Sequence, residues 1–300
     1  MTTVLGLDVG GTHSRARLVR DGELVAEAAG PSASLAAAGR ERAASAMGTI
    51  LGDLALRPGA ALDAVCIGTA GTSAGQADAF FLELLAPLTS TGRVVIVNDA
   101  RLVLAAAGVA DGVACIAGTG SIAVGLVAGR EERAGGWGYL LGDEGSGYWV
   151  ARQAVRQLAE RHDSHLPLGE LGTAVLEATG CPDFSSLFQL WYDRRSPGAW
   201  AVLAPLVLDC QDPFSRELTE AAAAALASII ATVYNRLGNP PGLPVLLAGG
   251  LLTHHQALAD RTLAAVRSVV PAARPSVASE PPVAGAVQLA LQAAGGGRLR

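Results

Sequence analysis

The sequence contains no lysine: all 22 of its basic residues are arginine. That absence excludes a Walker-type phosphate lysine, a lysine Schiff base and a pyridoxal-phosphate anchor. Aromatic residues make up only 4% of the chain, so its cores must be built from Ala, Val and Leu. Basic residues are outnumbered by 27 acidic ones, giving a net charge of -5, and no Arg-rich run occurs. Such a balance argues against a nucleic-acid partner. Cysteine is sparse and scattered (Cys66, Cys115, Cys181, Cys210), without the close spacing of a zinc or redox motif. These read as reduced thiols of a cytoplasmic protein. A long uninterrupted apolar run is missing too. Ala221 to Val233 falls short of the ~20 residues that a span needs, and Glu220 and Arg236 flank it. Asp111 and several glycines interrupt Leu102 to Ala128. The start has no basic region and meets Asp8 early. No membrane segment and no leader are expected, and the positive mean hydropathy of +0.36 reflects alanine.

What is present is a repeated device. Three hundred residues, half of them apolar, suggest two domains. Val4 to Asp8 is a short apolar strand, followed by Gly10-Gly11-Thr12 and an alternating strand, Ser14 to Val19. Asp21-Gly22 is a two-residue hairpin turn before a further strand, Glu23 to Ala28. The pattern returns as Val113 to Ala117, then Gly118-Thr119-Gly120-Ser121, then Ile122 to Val127. Internal duplication follows as a hypothesis: two similar domains, each opening with a glycine-tipped hairpin. Elsewhere strands alternate with helices, which is the mark of α/β layers. Helices are expected over Leu35 to Leu56, Gln76 to Leu88, Asp99 to Ala107, Ser146 to Arg161, Glu170 to Thr179, Phe184 to Arg194, Trp200 to Cys210, Phe214 to Leu237, His255 to Val269 and Ala284 to Ala294. Strands are expected over Asp63 to Gly68, Arg93 to Val97 and Leu243 to Ala248.

Glycine tips let backbone N–H groups approach an anion, and a Thr or Ser hydroxyl adds a donor. Two such tips could hold a polyphosphate without lysine, with Gly249-Gly250 as a third glycine pair after a strand. Tight turns that happen to use glycine are the competing explanation. Asp8, at a strand end, suits Mg²⁺ held through water. Asp99 follows a buried strand at the start of a helix, where open α/β sheets bind ligands. It suits a general base, although a helix N-cap would use the same residue types. The segment 135–149 holds two of the four Trp and six of the 37 Gly. A glycine-dense loop carrying carboxylates and aromatics suggests a ligand wall, with Asp143 toward the ligand and Trp149 in the core. His254-His255 lacks a partner cluster for metal, and Ser121 has no histidine placed to activate it.

Leu7-Asp8-Val9-Gly10-Gly11-Thr12 with Arg15 resembles the first phosphate motif of the actin-like ATPase and sugar-kinase superfamily. Ala117-Gly118-Thr119-Gly120-Ser121 resembles the second, and Leu247-Ala248-Gly249-Gly250-Leu251 the adenosine motif. Asn98-Asp99-Ala100 and Val283-Ala284-Gly285-Ala286 fit its two connecting helices. Five motifs in the family's order cover nearly the whole chain. Gly135-Gly136-Trp137-Gly138 followed by Gly142-Asp143-Glu144-Gly145-Ser146 is similar to N-acetylglucosamine kinases. These share a family with glucosamine kinases and with activator ATPases of acyl-CoA reductases and dehydratases.

The resemblance implies two ribonuclease-H-like domains, 1–108 plus 284–300 and 109–283, with an active-site cleft between them. It implies ATP and Mg²⁺ as cofactors, a small amino sugar as partner, and a homodimer. Asp99 would be the base. Gly10, Gly11, Thr12, Gly118, Thr119 and Gly120 would meet phosphate, and Gly249 and Gly250 the nucleotide. Ser34, Ser121, Gly136, Trp137, Gly138 and Asp143 would line the sugar. The expected reaction is phosphorylation of N-acetylglucosamine at its 6-hydroxyl, with glucosamine, N-acetylmuramic acid and an ATPase activator role as alternatives. One departure is Ser34, where the family commonly has Asn. A single hydroxyl replaces an acceptor and a donor, so substrate identity is open at this position.

Overall fold

The computed structural model describes residues 1–69, 76–193 and 196–296. Arg194, the expected end of one helix, and the tail after Gly296 lie outside them. The chain divides into two compact units. Unit 1 is Met1–Gly112, Val127–Gly129 and Ala278–Arg300; unit 2 is Val113–Leu126 and Arg130–Val277.

Unit 1 is built on β1 (Thr3–Val9), β2 (His13–Arg20), β3 (Glu23–Pro31), β4 (Ala64–Thr69) and β5 (Val94–Asn98), in the sheet order β3-β2-β1-β4-β5. The first three strands run antiparallel, and β1, β4 and β5 run parallel. Register sets Asp8 opposite Arg15 on β2 and Gly68 on β4. Thr69 on β4 lies opposite Asn98 on β5. The carboxyl ends of three parallel strands therefore bring Asp8, Thr69 and the start of the next helix to one edge of the sheet.

The helices of unit 1 are α1 (Leu35–Ala38), α2 (Arg40–Asp53), α3 (Gln76–Leu85), α4 (Asp99–Ala106) and α13 (Pro282–Ala294). The helix expected from Leu35 to Leu56 is two helices. Gly39, at φ 76°, breaks it, because the left-handed region cannot continue an α-helix. One face of the sheet packs on α2 and α3 through Leu5, Leu7, Met47, Ile50, Ile67 and Phe81. The other packs on α4 and α13 through Val4, Cys66, Leu102, Ala286 and Leu289. Glycine makes that second face possible. A Cβ on Gly285 would lie 1.9 Å from the Leu102 carbonyl oxygen, and one on Gly6 would lie 2.6 Å from the Val287 nitrogen. The expected connecting helices thus meet backbone to backbone.

Unit 2 repeats the plan with β6 (Gly112–Ala117), β7 (Ser121–Val127), β8 (Arg130–Gly135), β9 (Pro244–Ala248) and β10 (Arg274–Val277). Its order is β10-β9-β6-β7-β8. Counted within each unit, both sheets read 3-2-1-4-5, which supports the duplication. Asp21-Gly22 in the first unit has φ 50° and 87°; Ala128-Gly129 has 49° and 83°. Both turns are the two-residue kind whose twist suits a hairpin. Sequence reading missed β8 because alanine hides the second turn. It also missed β10, four residues with Pro275 inside.

The helices of unit 2 are α5 (Gly147–Asp163), α6 (Gly169–Thr179), α7 (Phe184–Asp193), α8 (Pro197–Ala201), α9 (Ala204–Asp209), α10 (Pro213–Arg236), α11 (Gly250–His254) and α12 (Gln256–Val269). The helix expected from Trp200 to Cys210 is split into α8 and α9, and α11 precedes the one expected from His255. Trp149 is only half-buried, while Trp200 is the core tryptophan, 3% exposed. By length and composition alone α10, 24 residues long, could cross a membrane. Half of its apolar window is nevertheless buried within the protein. Its buried Leu218, Ala222, Leu226, Ile230 and Val233 recur at helical spacing, the stripe of a core helix.

Candidate active site

In unit 1 the first glycine tip joins β1 to β2. Gly10 N–H donates to His13 O (3.0 Å), closing the turn. Neither Gly10 nor Gly11 has positive φ, so backbone conformation does not demand glycine. A Cβ on Gly11 would meet nothing within 4 Å. The protein itself makes no use of the missing side chain there. Ser32 Oγ donates to Gly10 O (2.8 Å), Ala33 N–H donates to Ser14 Oγ (2.9 Å), and Ser34 N–H donates to Ser32 Oγ (3.2 Å). Ser34 is thereby held, 2% exposed, on a loop tied to the tip. Thr12 is exposed at the tip's end.

Asn98 is the N-cap of α4; its side chain accepts from Ala100 N–H (2.9 Å). Asp99 Oδ1 accepts from the same N–H (2.9 Å). The cap is therefore Asn98, leaving Asp99 in the first turn. The Asp99 charge acts on Asp8. Burial, the Asp99 charge and, in opposition, the Arg15 guanidinium set the Asp8 carboxyl at about 7. Burial, opposed by the N–H groups of Ala100 and Asp99, sets the Asp99 carboxyl at about 6. Two desolvated carboxylates at one sheet edge form a hard oxygen donor set of the kind that suits a divalent cation, and Asp99 is poised for proton transfer near neutral pH.

In unit 2 the second tip joins β6 to β7. Gly118 N–H donates to Gly120 O (2.9 Å). Again no positive φ occurs at Gly118 or Gly120, and a Cβ on Gly118 would meet nothing within 4 Å. Carbonyls of this tip accept from the start of α5: Gly147 N–H to Gly118 O (2.8 Å) and Tyr148 N–H to Thr119 O (3.3 Å). Ser121 Oγ donates to Glu144 O (2.8 Å), and Gly136 N–H donates to Ser121 O (2.9 Å).

The loop 136–146 carries the expected sugar wall. Trp137 is 62% exposed, with the Arg133 guanidinium 5.0 Å from its ring centre. Gly136 and Gly138 are left-handed, at φ 69° and 82°. Asp143 is 8% exposed and left-handed, at φ 63°. Burial raises its carboxyl, the Glu144 charge adds to that, and backbone N–H groups of Ser121 and Gly138 oppose it. The Ser121 donor was not legible in sequence, since it lies twenty-two positions earlier, at the base of the second tip.

Gly249 has a structural reason to be glycine. Its φ is 88°, and a Cβ would lie 2.4 Å from Ala117 O. Gly250 opens α11, and the nearest atom to its Cβ position is His254 Nδ1 at 3.9 Å. Only Gly250 of that pair leaves open space. Unit 1 therefore gathers Asp8, Gly10–Thr12, Ser34 and Asp99. Unit 2 gathers Gly118–Ser121, Gly136–Gly138, Asp143 and Gly249–Gly250. Among the described residues no group of three or more His, Cys, Asp or Glu side chains could hold a metal.

An N-acetylmuramic acid/N-acetylglucosamine kinase of Clostridium acetobutylicum is 39% identical over 103 residues, 33% of each chain. An N-acetyl-D-glucosamine kinase of Dictyostelium discoideum is 32% identical over 173 residues, 54% of each chain. The matched stretches thus span about a third and about half of those relatives' own lengths. A solved structure from Chromobacterium violaceum, provisionally named an N-acetylglucosamine kinase, superposes with a TM-score of 0.78 at 29% identity, covering 97% of this chain and 99% of that one. The model of the BadF/BadG/BcrA/BcrD ATPase family matches residues 5–290, nearly the entire sequence. The chain belongs to the BadF/BadG/BcrA/BcrD ATPase family.

Proposed function

We propose that this protein is an ATP-dependent amino-sugar kinase that phosphorylates N-acetylglucosamine at its 6-hydroxyl. One observation carries the nucleotide half of the reading. Gly11 and Gly118 sit at equivalent tips, need no special φ and have open space where a side chain would be. Such glycines make room for something other than protein, and backbone N–H groups at close range suit phosphate. Family membership supports ATP, and the kinases named among the relatives support a sugar acceptor.

Each residue then has a job. Asp99 accepts the proton of the 6-hydroxyl while that oxygen forms its bond to the γ-phosphorus and the bond to the β,γ-bridging oxygen breaks, releasing ADP. N–H groups of the two tips, with Thr12 and Thr119, orient the phosphates. Asp8 would hold Mg²⁺, and such an ion would supply charge neutralisation for the transferring group. Trp137 offers a flat apolar face to a pyranose ring, with Gly136, Gly138 and Asp143 beside it and Ser121 and Ser34 near the hydroxyls. Ser34 bears on which sugar is chosen, so glucosamine and N-acetylmuramic acid belong in the test.

Release of ADP is measured with ATP·Mg²⁺ and, separately, N-acetylglucosamine, glucosamine, N-acetylmannosamine, N-acetylmuramic acid and glucose. Release that depends on an amino sugar, with N-acetylglucosamine leading, is expected. Release indifferent to every sugar would replace this reading with that of an ATPase acting on a protein partner.

A further inference from the structure

Asp143 is 8% exposed, and backbone N–H groups of two segments act on its carboxylate. Ser121 N–H lies at the base of the second glycine tip; Gly138 N–H lies in the Trp137 loop. One carboxylate therefore faces both segments. The fit is close: a Cβ on Gly120 would lie 2.7 Å from Asp143 Oδ2, so the carboxylate rests directly on the tip. Further hydrogen bonds run beside it. Ser121 Oγ donates to Glu144 O, Gly136 N–H to Ser121 O, and Ser146 N–H to Asp143 O. Gly147 N–H donates to Gly118 O. Asp143 itself takes a left-handed backbone, φ 63°, a conformation that Asp tolerates as a single residue.

We propose that Asp143 is a positioning residue for the second glycine tip, locking it to the Trp137 loop so that the two behave as one rigid piece. This rests on the kinase reading above and deepens it. A carboxylate has about four lone-pair directions, so two bonds to backbone leave others for a sugar hydroxyl. The new role is toward the nucleotide. With Asp143 in place, the tip N–H groups are ordered before ATP arrives. Without it, binding must order them, and nucleotide affinity falls even when no sugar is present. Because coupling is reciprocal, sugar and nucleotide should each tighten the other through this brace.

The test uses ADP·Mg²⁺ as probe and measures its affinity by calorimetry, with and without N-acetylglucosamine, on the wild type, Asp143→Asn and Trp137→Ala. The expected result for Asp143→Asn is roughly tenfold weaker ADP binding without sugar, the scale of a lost charge-assisted hydrogen bond, and loss of the sugar's effect on ADP. Trp137→Ala, which removes the ring and keeps the carboxylate, should weaken sugar binding far more than sugar-free ADP binding. A general loss of fold would instead move the melting temperature and both ligands together. Wild-type ADP affinity retained by Asp143→Asn, with only sugar binding weakened, would overturn the brace and leave the kinase reading intact. A wild type that binds ADP but phosphorylates no sugar would sink the kinase reading instead. If Asp143→Asn does not fold, amide exchange on the wild type decides. Slow exchange of the Ser121 and Gly138 N–H groups without ligand is expected, and fast exchange at both would overturn the proposal.

Discussion

The two glycine tips are copies of one device with opposite support. The first closes from Gly10 to His13, stands exposed, and is tied back through the Ser32 hydroxyl. The second closes one residue tighter, is half-buried, and is clamped by the start of α5 and by Asp143. The first has carboxylates beside it, Asp8 and Asp99, whose charges repel. The second has a carboxylate beneath it whose hydrogen bonds hold it still. The same hairpin geometry occurs twice, and its neighbours differ: carboxylates stand beside one tip and the start of α5 is bonded to the other. Groups that change protonation belong near the first, and groups that fix position belong near the second.

The largest break in this comparison should come from Asp99→Asn. As the general base it should lower kcat by roughly a hundred- to ten-thousand-fold with the fold intact. Steady-state kinetics alongside circular dichroism would check it, and a near-normal kcat would remove Asp99 from that role. Next in size is the contrast of Gly249→Ala with Gly11→Ala. The first puts a Cβ 2.4 Å from Ala117 O at φ 88°, and should lower stability by about 2–4 kcal/mol. The second should leave the melting temperature within a degree or two and weaken ADP binding about tenfold. Denaturation and calorimetry on both variants would separate packing glycines from ligand glycines.

Acidity sharpens the contrast further. Asp99 must be ionised to accept a proton, so kcat/KM should fall as pH drops through about 6. Stability of the ligand-free protein should run the other way. Asp8 has a folded-state pKa raised to about 7 from 3.8. Its contribution is fully present below the unfolded value and is lost as pH rises through the folded one. Melting curves from pH 4 to 8 should therefore decline more for the wild type than for Asp8→Asn, and equal declines would contradict the assignment. The smallest effect is expected from Ser34→Asn, a change of a few-fold in the ranking of the sugar panel with ADP affinity unaltered.

What could be read from sequence was what local chemistry writes down. Asp21-Gly22, Gly10-Gly11-Thr12 and Gly118-Thr119-Gly120 announced three hairpin turns, and Asn98 announced the start of α4. The copy of the third strand stayed hidden because Ala128 takes a left-handed turn without the usual Asn, Asp or Gly, and because Arg130-Glu131-Glu132-Arg133 looks like a solvated loop. Its charges are in fact partly paired across one face, Arg130 to Glu132 at 2.8 Å. Gly39 looked like a tolerated helix residue and proved to be a break. The site residues were visible as types, but not their supports. Nothing near Asp143 in sequence reveals that its acceptors serve Ser121, twenty-two positions earlier.

The final helix has a consequence for how the chain is made. Residues 282–294 cover one face of the first sheet, with Ala286, Leu289 and Ala290 against Val4, Cys66 and Leu102. Arg93 fastens the helix by donating to the carbonyls of Ala293 and Ala294. During synthesis the strands of unit 1 leave the ribosome first, yet the cover for that face arrives almost last. Unit 2 is translated in between, so it can complete its own sheet while unit 1 waits with that face covered by α4 alone. Nascent chains stalled before residue 282 should therefore present that face to a chaperone, and those released after residue 294 should not.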